Sequence, residues 1–249
     1  MIVNVDSACS IFFGDAATCT VSCKEPNYLE FCDDLRQHLG LEYLISQNQK
    51  HGTDGWNITA KNQLTSTVMY KEHEGDYIIT NQPGVGIAAL TADCLPIIFY
   101  APHKSVVAIA HAGWRGSVAG IASVVVKKLK ELHHIDPSQK SFHSELVVYF
   151  GPAAQSCCYE VQTDFLSNHL VQDAIAKYPE ILIQRDGKSY FDNSLFNKNE
   201  LISQGINPEK INTDYNLCTV CNHHYHSFRR LKESGKYENQ ETIVWLRLL

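Results

Sequence analysis

The sequence predicts an α+β protein of mixed α/β layers, in which a largely buried mixed sheet is covered by helices. Short apolar runs rich in β-branched residues cluster between residues 76 and 111 and are separated by Pro and Gly, which is typical of buried strands. Other segments carry apolar residues at helical spacing. Neither a repeat nor a linker rich in Pro, Gly and Ser interrupts the sequence, so we expect a single domain over residues 1–249.

The elements follow from these patterns in chain order. The first helix is predicted over residues 26–39 and ends at Gly40. Four strands are then predicted, at residues 77–79, 85–90, 95–101 and 106–110. The next helix spans residues 117–132, with one apolar face formed by Ile121, Val125, Leu129 and Leu132. Further along, strands are predicted at 146–150, 181–184 and 242–247, and helices at 164–177 and 194–204.

Composition and charge exclude several classes of protein. Hydrophobic residues make up 44% of the chain and charged residues 19%, as in ordinary globular proteins. A net charge of -6 argues against a nucleic-acid-binding function. No apolar run approaches the roughly 18 residues that span a membrane, and the first residues lack the basic stretch of a secretory signal. We therefore expect a cytoplasmic protein with no nucleic-acid or membrane partner and with reduced cysteines.

The segment 91–117 contains the residues best suited to chemistry. If its two apolar strands form a hairpin centred between Pro102 and His103, Cys94 pairs directly with His111. Such partners have Cβ atoms about 4.5–5.5 Å apart, close enough to share one metal ion or one proton. The pair can bind zinc, or Cys94 can act as a nucleophile activated by His111. A buried cysteine beside a core histidine is the structural alternative.

A glycine-rich turn follows His111 and leads into a helix predicted to begin near residues 115–117. Gly113 and Gly116 permit the backbone to approach a ligand closely, and Arg115 adds hydrogen-bond donors. Free N–H groups at a helix start favour an anion such as phosphate. An ordinary strand-to-helix turn with a surface arginine is the alternative.

Several motifs in a fixed order together resemble one known family. They are QKHG at 49–52, EGDYIIT at 74–80, TADCLPI at 91–97, AHAGWRG at 110–116, GPAAQSCCYEV at 151–161, and CT at 218–219 followed by SFRR at 227–230. From about residue 44 onward the chain resembles the YfiH family, whose members are also called laccase-domain, polyphenol-oxidase or multifunctional purine nucleoside phosphorylase proteins. The resemblance implies a fold similar to CNF/YfiH-like hydrolases and a catalytic zinc ion bound by His51, Cys94 and His111. Three protein ligands leave a fourth position for water or substrate.

The resemblance also implies a chemistry, with purine nucleosides and phosphate as partners. The reactions are phosphorolysis of adenosine, inosine and methylthioadenosine, and deamination of adenosine. In the deamination, zinc lowers the pKa of a bound water so that it can attack the purine, and Asp76 or Asp93 is a candidate to carry the proton. In phosphorolysis, phosphate attacks the ribose, and Arg115 and Arg229 are the candidates to bind it.

The chain departs from the family pattern near its N-terminus. The family has an arginine followed by paired glycines there, whereas residues 11–17 read IFFGDAA. Loss of that arginine removes an anion contact, so we expect deamination to be favoured relative to phosphorolysis.

Two further cysteine groups have less specific patterns. Cys218 and Cys221 have the CxxC spacing of a zinc site, but no second CxxC or suitably spaced histidine pair accompanies them, so a structural role is favoured. Adjacent Cys157 and Cys158 are predicted to be a buried packing pair.

Three rival functions stay open. A copper-dependent polyphenol oxidase would place copper at the zinc site, although multicopper geometry needs more histidines than this set offers. A cysteine hydrolase or amidase would use Cys94 and His111, and the resemblance to the YfiH family implies a role in peptidoglycan editing for it. A zinc-stabilised scaffold without catalysis is the third rival, and three ligands rather than four argue against it.

Overall fold

Two six-stranded sheets face each other and carry helices on their outer surfaces. The computed structural model describes residues 1–132 and 145–248. The strands are β1 (Ile2–Asn4), β2 (Cys9–Phe13), β3 (Tyr43–Asn48), β4 (Gly55–Ile58), β5 (Val68–Glu74), β6 (Tyr77–Thr80), β7 (Val85–Thr91), β8 (Leu95–Ala101), β9 (Val106–Ala112), β10 (Val147–Phe150), β11 (Glu160–Val161), β12 (Leu182–Arg185), β13 (Lys188–Phe191), β14 (Ile211–Asn212) and β15 (Gln240–Leu246). The described helices are α1 (Tyr28–His38), α2 (Trp114–Val118), α3 (Ile121–Leu132), α4 (Thr163–Leu166), α5 (His169–Lys177), α6 (Asn193–Ser203) and α7 (Phe228–Leu231).

Both large sheets mix parallel and antiparallel pairs. The first sheet has the order β1-β2-β15-β7-β3-β5, the second β14-β10-β8-β9-β6-β4, and a small third sheet β11-β13-β12. In the first sheet β3 is parallel to β5 and β7, while in the second β4 is parallel to β6 and β10 to β14. The predicted α+β class is confirmed, with the buried strands divided between two large sheets.

One apolar core lies between the two sheets. Ile87 and Val244 of the first sheet pack in one cluster with Ile98 and Ile109 of the second. Helix α1 covers the outer face of the first sheet, and α3 covers the outer face of the second. Because both faces are covered, every residue of β8 and β9 is buried. This burial explains why these strands are continuous apolar runs in the sequence.

The chain crosses from the first sheet to the second three times in succession. The connections β3 to β4, β5 to β6 and β7 to β8 each leave one sheet and enter the other. The residues between the strands of each pair therefore lie close together at one edge of the sandwich. His51, Asp76 and Cys94 are each on one of these crossovers.

The hairpin of β8 and β9 is antiparallel as predicted, but its register differs. His111 lies opposite Pro96, not opposite Cys94, so the predicted direct pairing is wrong. A 3-10 turn at Pro102–Lys104, followed by Ser105 with φ 47, lengthens the loop and moves its centre by one residue. The strand partner of His111 thereby moves by two residues, from Cys94 to Pro96. Because side chains alternate between the two faces of a sheet, Cys94 and His111 still lie on the same face, as diagonal neighbours.

Two predicted helices are each divided in the structure. The helix predicted at 117–132 is α2 followed by α3, with Gly120 at φ 88 between them. The helix predicted at 164–177 is α4 followed by α5, and the side chain of Asn168 caps the second by accepting hydrogen bonds from Leu170 N and Val171 N. Both breaks occur at residues that favour helix ends. No helix among residues 1–132 and 145–248 has the length and apolar character needed to cross a membrane.

Candidate metal centre and its cavity

Three side chains from distant parts of the sequence meet at the edge of the sandwich. His51 follows β3, Cys94 immediately precedes β8, and His111 belongs to β9. Their potential ligand atoms all lie within 4.8 Å of one another. Cys94 Sγ is 3.8 Å from His51 Nε2, and the rings of His51 and His111 meet edge to face with centroids 4.7 Å apart. We call these three residues the His–Cys–His site.

The donor atoms fit a single metal ion. Asp76 Oδ1 lies 2.8 Å from His111 Nδ1, which leaves His111 Nε2 for a metal. Around a tetrahedral zinc ion, Zn–N and Zn–S bonds of about 2.0 and 2.3 Å separate a nitrogen and a sulfur ligand by roughly 3.5 Å. The distance between Cys94 Sγ and His51 Nε2 is close to this value. The His–Cys–His site could therefore hold a metal ion.

Asp76 organises two of the three donors. Its carboxylate accepts the backbone N–H groups of Lys50, His51 and Gly52 at 3.1, 2.9 and 2.7 Å, and it also bonds His111. Asp76 is only 3% exposed. Burial raises its pKa, but the hydrogen bonds from His111 and the backbone outweigh this and hold the pKa below its ordinary value. A carboxylate that orients a metal-ligating histidine is a recurrent feature of metal sites.

The backbone around the site is tightly packed and locally strained. His51 has φ 60 and Asp93, beside Cys94, has φ 88, conformations that L-residues rarely adopt. A Cβ added to Gly113 would lie 2.7 Å from a His51 ring carbon and 3.1 Å from Cys94 Sγ. A Cβ on Gly116 would lie 2.9 Å from the Gly52 carbonyl oxygen. The two glycines thus allow the first residues of α2 to pack directly against the loop that contains His51.

The thiol and imidazole of the site shift each other's pKa in opposite directions. Burial raises the pKa of Cys94, but the charge of His111 and hydrogen bonds from both histidines outweigh this and lower it to about 6. Burial lowers the pKa of His111, while Cys94 and Asp76 raise it to about 9. In the metal-free protein these opposite shifts favour the thiolate of Cys94 and the imidazolium of His111. The thiolate is the form that binds metals and attacks electrophiles.

A cavity of about 370 Å³ opens onto the three donors. Its wall includes the aromatic rings of Tyr70, Phe228 and Tyr237, and Phe228 and Tyr237 are 50% and 38% exposed. Of the described residues that line it, Lys71 alone carries a permanent positive charge, and its φ of 63 is strained. The volume suits a small organic molecule.

The other predicted site residues lie elsewhere. Asp93 accepts hydrogen bonds from Thr219 Oγ1 and from the backbone N–H of Arg229, both at 2.7 Å. Arg229 donates to the Glu160 carbonyl oxygen at 2.7 Å and lies over the Tyr159 ring. Arg115 is exposed and lies over the Trp114 ring. Neither arginine lines the cavity, so phosphate binding by Arg115 and Arg229, like proton transfer by Asp76 and Asp93, stays a prediction.

Sequence reasoning missed the remaining cavity residues. Lys71 lies in a strand that reads as solvated, and Tyr237 lies near the C-terminus outside any motif. Phe228 belongs to the SFRR motif at 227–230, in which only Arg229 was a candidate site residue. The pairing of β3 with β5 is irregular, because its register shifts beyond Ser46. Lys71, with its positive φ, lies in β5 where this shift occurs. No pattern in the sequence alone indicates this irregularity.

The fold and the site together define a class: a two-sheet α/β protein whose strand crossovers build a three-donor group that could hold a metal ion. Comparison with known proteins identifies the family. The chain belongs to the family described as multi-copper polyphenol oxidoreductase laccase, which matches residues 25–247.

Individual relatives agree with this assignment. A Borreliella burgdorferi protein named purine nucleoside phosphorylase is 33% identical over 239 residues, 88% of this chain and 96% of the relative. An Aquifex aeolicus protein of the same name is 35% identical over 172 residues, 69% of this chain and 72% of the relative. The crystal structure of Bacillus licheniformis hypothetical protein YfiH superposes with a TM-score of 0.76 at 22% identity, covering 96% of this chain and 93% of that chain. The last comparison shows the fold alone.

Proposed function

We propose that this protein is a zinc-dependent purine nucleoside phosphorylase that acts on adenosine, inosine and methylthioadenosine and also deaminates adenosine. The observation that carries the proposal is a three-donor site that faces a cavity, since three protein ligands leave a position for a reactant. The names of the relatives from Borreliella burgdorferi and Aquifex aeolicus support the substrate class. A cytoplasmic location belongs to the proposal because reduced thiols persist there.

We choose zinc over a multicopper centre for this donor set. Two imidazoles and one thiolate are preferred zinc ligands, whereas a multicopper oxidase needs many more histidines than this site offers. Zinc bound here would supply a Lewis acid and lower the pKa of a coordinated water. Elemental analysis of the purified protein tests the choice, and stoichiometric copper in place of zinc would contradict it.

The chain's own residues would hold and orient the nucleoside. Phe228 and Tyr237 flank the cavity and can stack on a purine, an interaction worth about 1–3 kcal/mol per base. Tyr70 forms a further part of the wall and donates its hydroxyl to the Cys23 carbonyl oxygen at 3.3 Å, which holds its ring in place. These rings would exclude water from the base.

Phosphate needs a cation inside the cavity. Arg115 and Arg229 were the candidates from sequence, and we add Lys71 because it lines the cavity. The Lys71 ammonium lies 4.6 Å from the centroid of the Tyr70 ring, so moving it onto an anion breaks only an exposed contact.

The test is product analysis on adenosine with and without phosphate. We expect free adenine only with phosphate and inosine under both conditions. Lys71→Met should raise the KM for phosphate about tenfold or more, since a charge-assisted hydrogen bond is worth about 1.5–3 kcal/mol, and should leave inosine formation unchanged. Arg115→Ala tests the competing assignment of Arg115 as the phosphate ligand. Lys104→Met, which removes a lysine in the β8–β9 turn, is the control. Equal losses of both products in Lys71→Met would remove Lys71 as the phosphate ligand.

A second candidate function is a cysteine hydrolase or amidase acting in peptidoglycan editing. It is favoured by the alignment of Cys94, His111 and Asp76, in which a thiolate, an imidazolium and an orienting carboxylate follow one another. Chelation distinguishes the two candidates, because the hydrolase needs no metal. Amide hydrolysis that persists in excess chelator and is stopped by alkylation of Cys94 would favour this candidate.

A further inference from the structure

Four cysteines outside the cavity converge on one point. Cys157 and Cys158 lie in a turn after β10, and Cys218 and Cys221 lie in the loop between β14 and α7. All four sulfur atoms lie within 4.8 Å of one another, and Cys157 Sγ is 3.9 Å from Cys221 Sγ. We call these residues the cysteine cluster. The expected buried packing pair at Cys157 and Cys158 is wrong, because Cys157 is exposed and Cys158 only partly buried.

The spacing of the sulfurs fits a single tetrahedral ion. Zn–S bonds of about 2.3 Å separate two sulfur ligands by roughly 3.8 Å, close to the distance between Cys157 Sγ and Cys221 Sγ. A tetrahedral set of four thiolates is characteristic of zinc or iron–sulfur centres. An iron–sulfur cluster binds its thiolates to different iron atoms and would separate the sulfurs further, so one ion fits better.

The backbone holds the two loops together independently of any ion. Ala153 and Cys218 form a parallel bridge, in which Ala153 N donates to Leu217 O and Thr219 N donates to Ala153 O, both at 3.1 Å. The guanidinium of Arg230 donates to the carbonyl oxygens of Thr219 and Val220 at 2.8 and 2.9 Å. The sulfurs are therefore positioned by the fold, so an ion would find its ligands arranged in advance.

One sulfur of the cluster also receives hydrogen bonds from its surroundings. Backbone N–H groups of Cys221 and Gln155 and the thiol of Cys157 point at the Cys218 sulfur. Such donors stabilise a thiolate, which is the form of cysteine that binds a metal ion.

We propose that Cys157, Cys158, Cys218 and Cys221 bind one zinc ion in a closed tetrahedral site, separate from the His–Cys–His site. With four protein ligands the ion has no open position, so its role is structural. This proposal does not depend on the purine chemistry. The ion ties residues 157–158 to residues 218–221 and thereby fixes two loops that hydrogen-bond to Asp93.

These loops reach the His–Cys–His site through Asp93. Ala154, in the first loop, donates its backbone N–H to the Asp93 carbonyl oxygen at 2.9 Å. Thr219, in the second loop, donates its hydroxyl to Asp93 Oδ1 at 2.7 Å. Both bonds hold Asp93 in its strained conformation immediately before Cys94. The structural zinc would therefore support the position of a ligand at the other site.

The test is zinc stoichiometry of the full-length protein, purified with reductant and loaded with zinc alone. We expect two zinc ions per chain in the wild type, one in Cys157→Ser/Cys221→Ser, and one in His51→Ala. The double variant changes exposed cysteines. Cys23→Ser, outside both donor groups, controls for the loss of a thiol and should retain two. One zinc per wild-type chain, lost in His51→Ala and kept in the double variant, would overturn the proposal.

A measurement on the wild type keeps the test decisive if the double variant fails to fold. Zinc X-ray absorption should show sulfur ligands at about 2.3 Å, between two and three per zinc when both sites are filled. About one sulfur per zinc would mean that only the His–Cys–His site binds. Bound iron, or a disulfide between Cys157 and Cys221 found by mass spectrometry under reducing purification, would also overturn the proposal.

Discussion

The His–Cys–His site and the cysteine cluster both gather thiols from separate loops, yet their surroundings differ. In the first, His111 is 3% exposed, is oriented by the carboxylate of Asp76, and faces a cavity of about 370 Å³. In the second, two of four cysteines are exposed, and backbone N–H groups and the Cys157 thiol point at the Cys218 sulfur. The first group has three donors and the second has four.

The difference shows that the number of donors and the presence of a cavity distinguish a site with room for a reactant from a closed one. A missing fourth donor and an adjacent cavity leave room for a reactant, and a buried carboxylate sets the orientation of the histidine. Four donors on surface loops fill the coordination shell and can only hold those loops together. On the two proposals above, the same side-chain chemistry would serve two roles in this molecule.

We expect the largest effect from replacing a ligand of the His–Cys–His site, which should leave the cysteine cluster unchanged. His111→Ala should reduce phosphorolysis and deamination to the assay background, because loss of a ligand loses the metal at the His–Cys–His site. Zinc at the cysteine cluster should be retained. Initial rates and zinc content, measured on the same preparation, test this. Substantial activity in His111→Ala would contradict a metal-dependent mechanism at this site.

Replacement of the orienting carboxylate should have the next largest effect. In Asp76→Asn an amide NH2 group must face hydrogen-bond donors, so we expect zinc affinity at the His–Cys–His site to fall about 10–100-fold. Competition titration with a chelator measures the change. Asp173→Asn, on the exposed surface of α5, is the matched control. An equal loss of zinc affinity at the cysteine cluster would contradict the prediction, because it would indicate general unfolding of the variant.

The same variant predicts a pH dependence of stability. The pKa of Asp76 in the folded protein lies below its ordinary value of 3.8, so its contribution is present above that pH and is lost as the pH falls through the folded-state pKa. We expect metal-free Asp76→Asn to be about 2–3 kcal/mol less stable than wild type at neutral pH. This gap should narrow below about pH 4. Denaturant unfolding at several pH values tests it, and a constant gap would contradict the assignment.

The smallest effect probes the connection between the sites. Thr219→Val removes the hydroxyl that donates to Asp93 Oδ1 and should lower the free energy of unfolding by about 1 kcal/mol or more. Thr219→Ser keeps the hydroxyl and should restore most of the loss. We expect both zinc ions to stay bound while kcat/KM falls modestly. Unchanged kcat/KM in Thr219→Val would show that the two sites are independent.

Much of the fold could be predicted because buried strands have a local signature. The predicted strands between residues 77 and 110 agree with β6 to β9 to within two residues. Strands β1 to β5 went unpredicted, and the predicted hairpin register was wrong because Ser105 extends the loop. Pairing depends on loop geometry and on partners far along the chain, which a local pattern does not contain.

The two groups that could hold a metal ion show the same limit. His51 joined Cys94 and His111 only through resemblance to a family, since 43 residues separate His51 from Cys94. The cysteine cluster was missed because the two pairs, 60 residues apart, each looked incomplete by spacing alone. A spacing rule detects ligands on one loop and fails when two loops each supply half of the set.

The sequence by itself determined the α+β class, the buried strands and the residue types available for metal chemistry, because burial and side-chain chemistry are local properties of the chain. Only the tertiary structure decided which residues meet. Three successive crossovers between the sheets bring His51, Asp76 and Cys94 to one edge, and the bridge of Ala153 to Cys218 brings the four cysteines together. In the tertiary structure, Asp76 and Asp93 accept hydrogen bonds from their neighbours. Lys71 lies on the cavity wall with its positive charge. These outcomes depend on contacts between residues distant in sequence, whose geometry exists only once the sheets have packed.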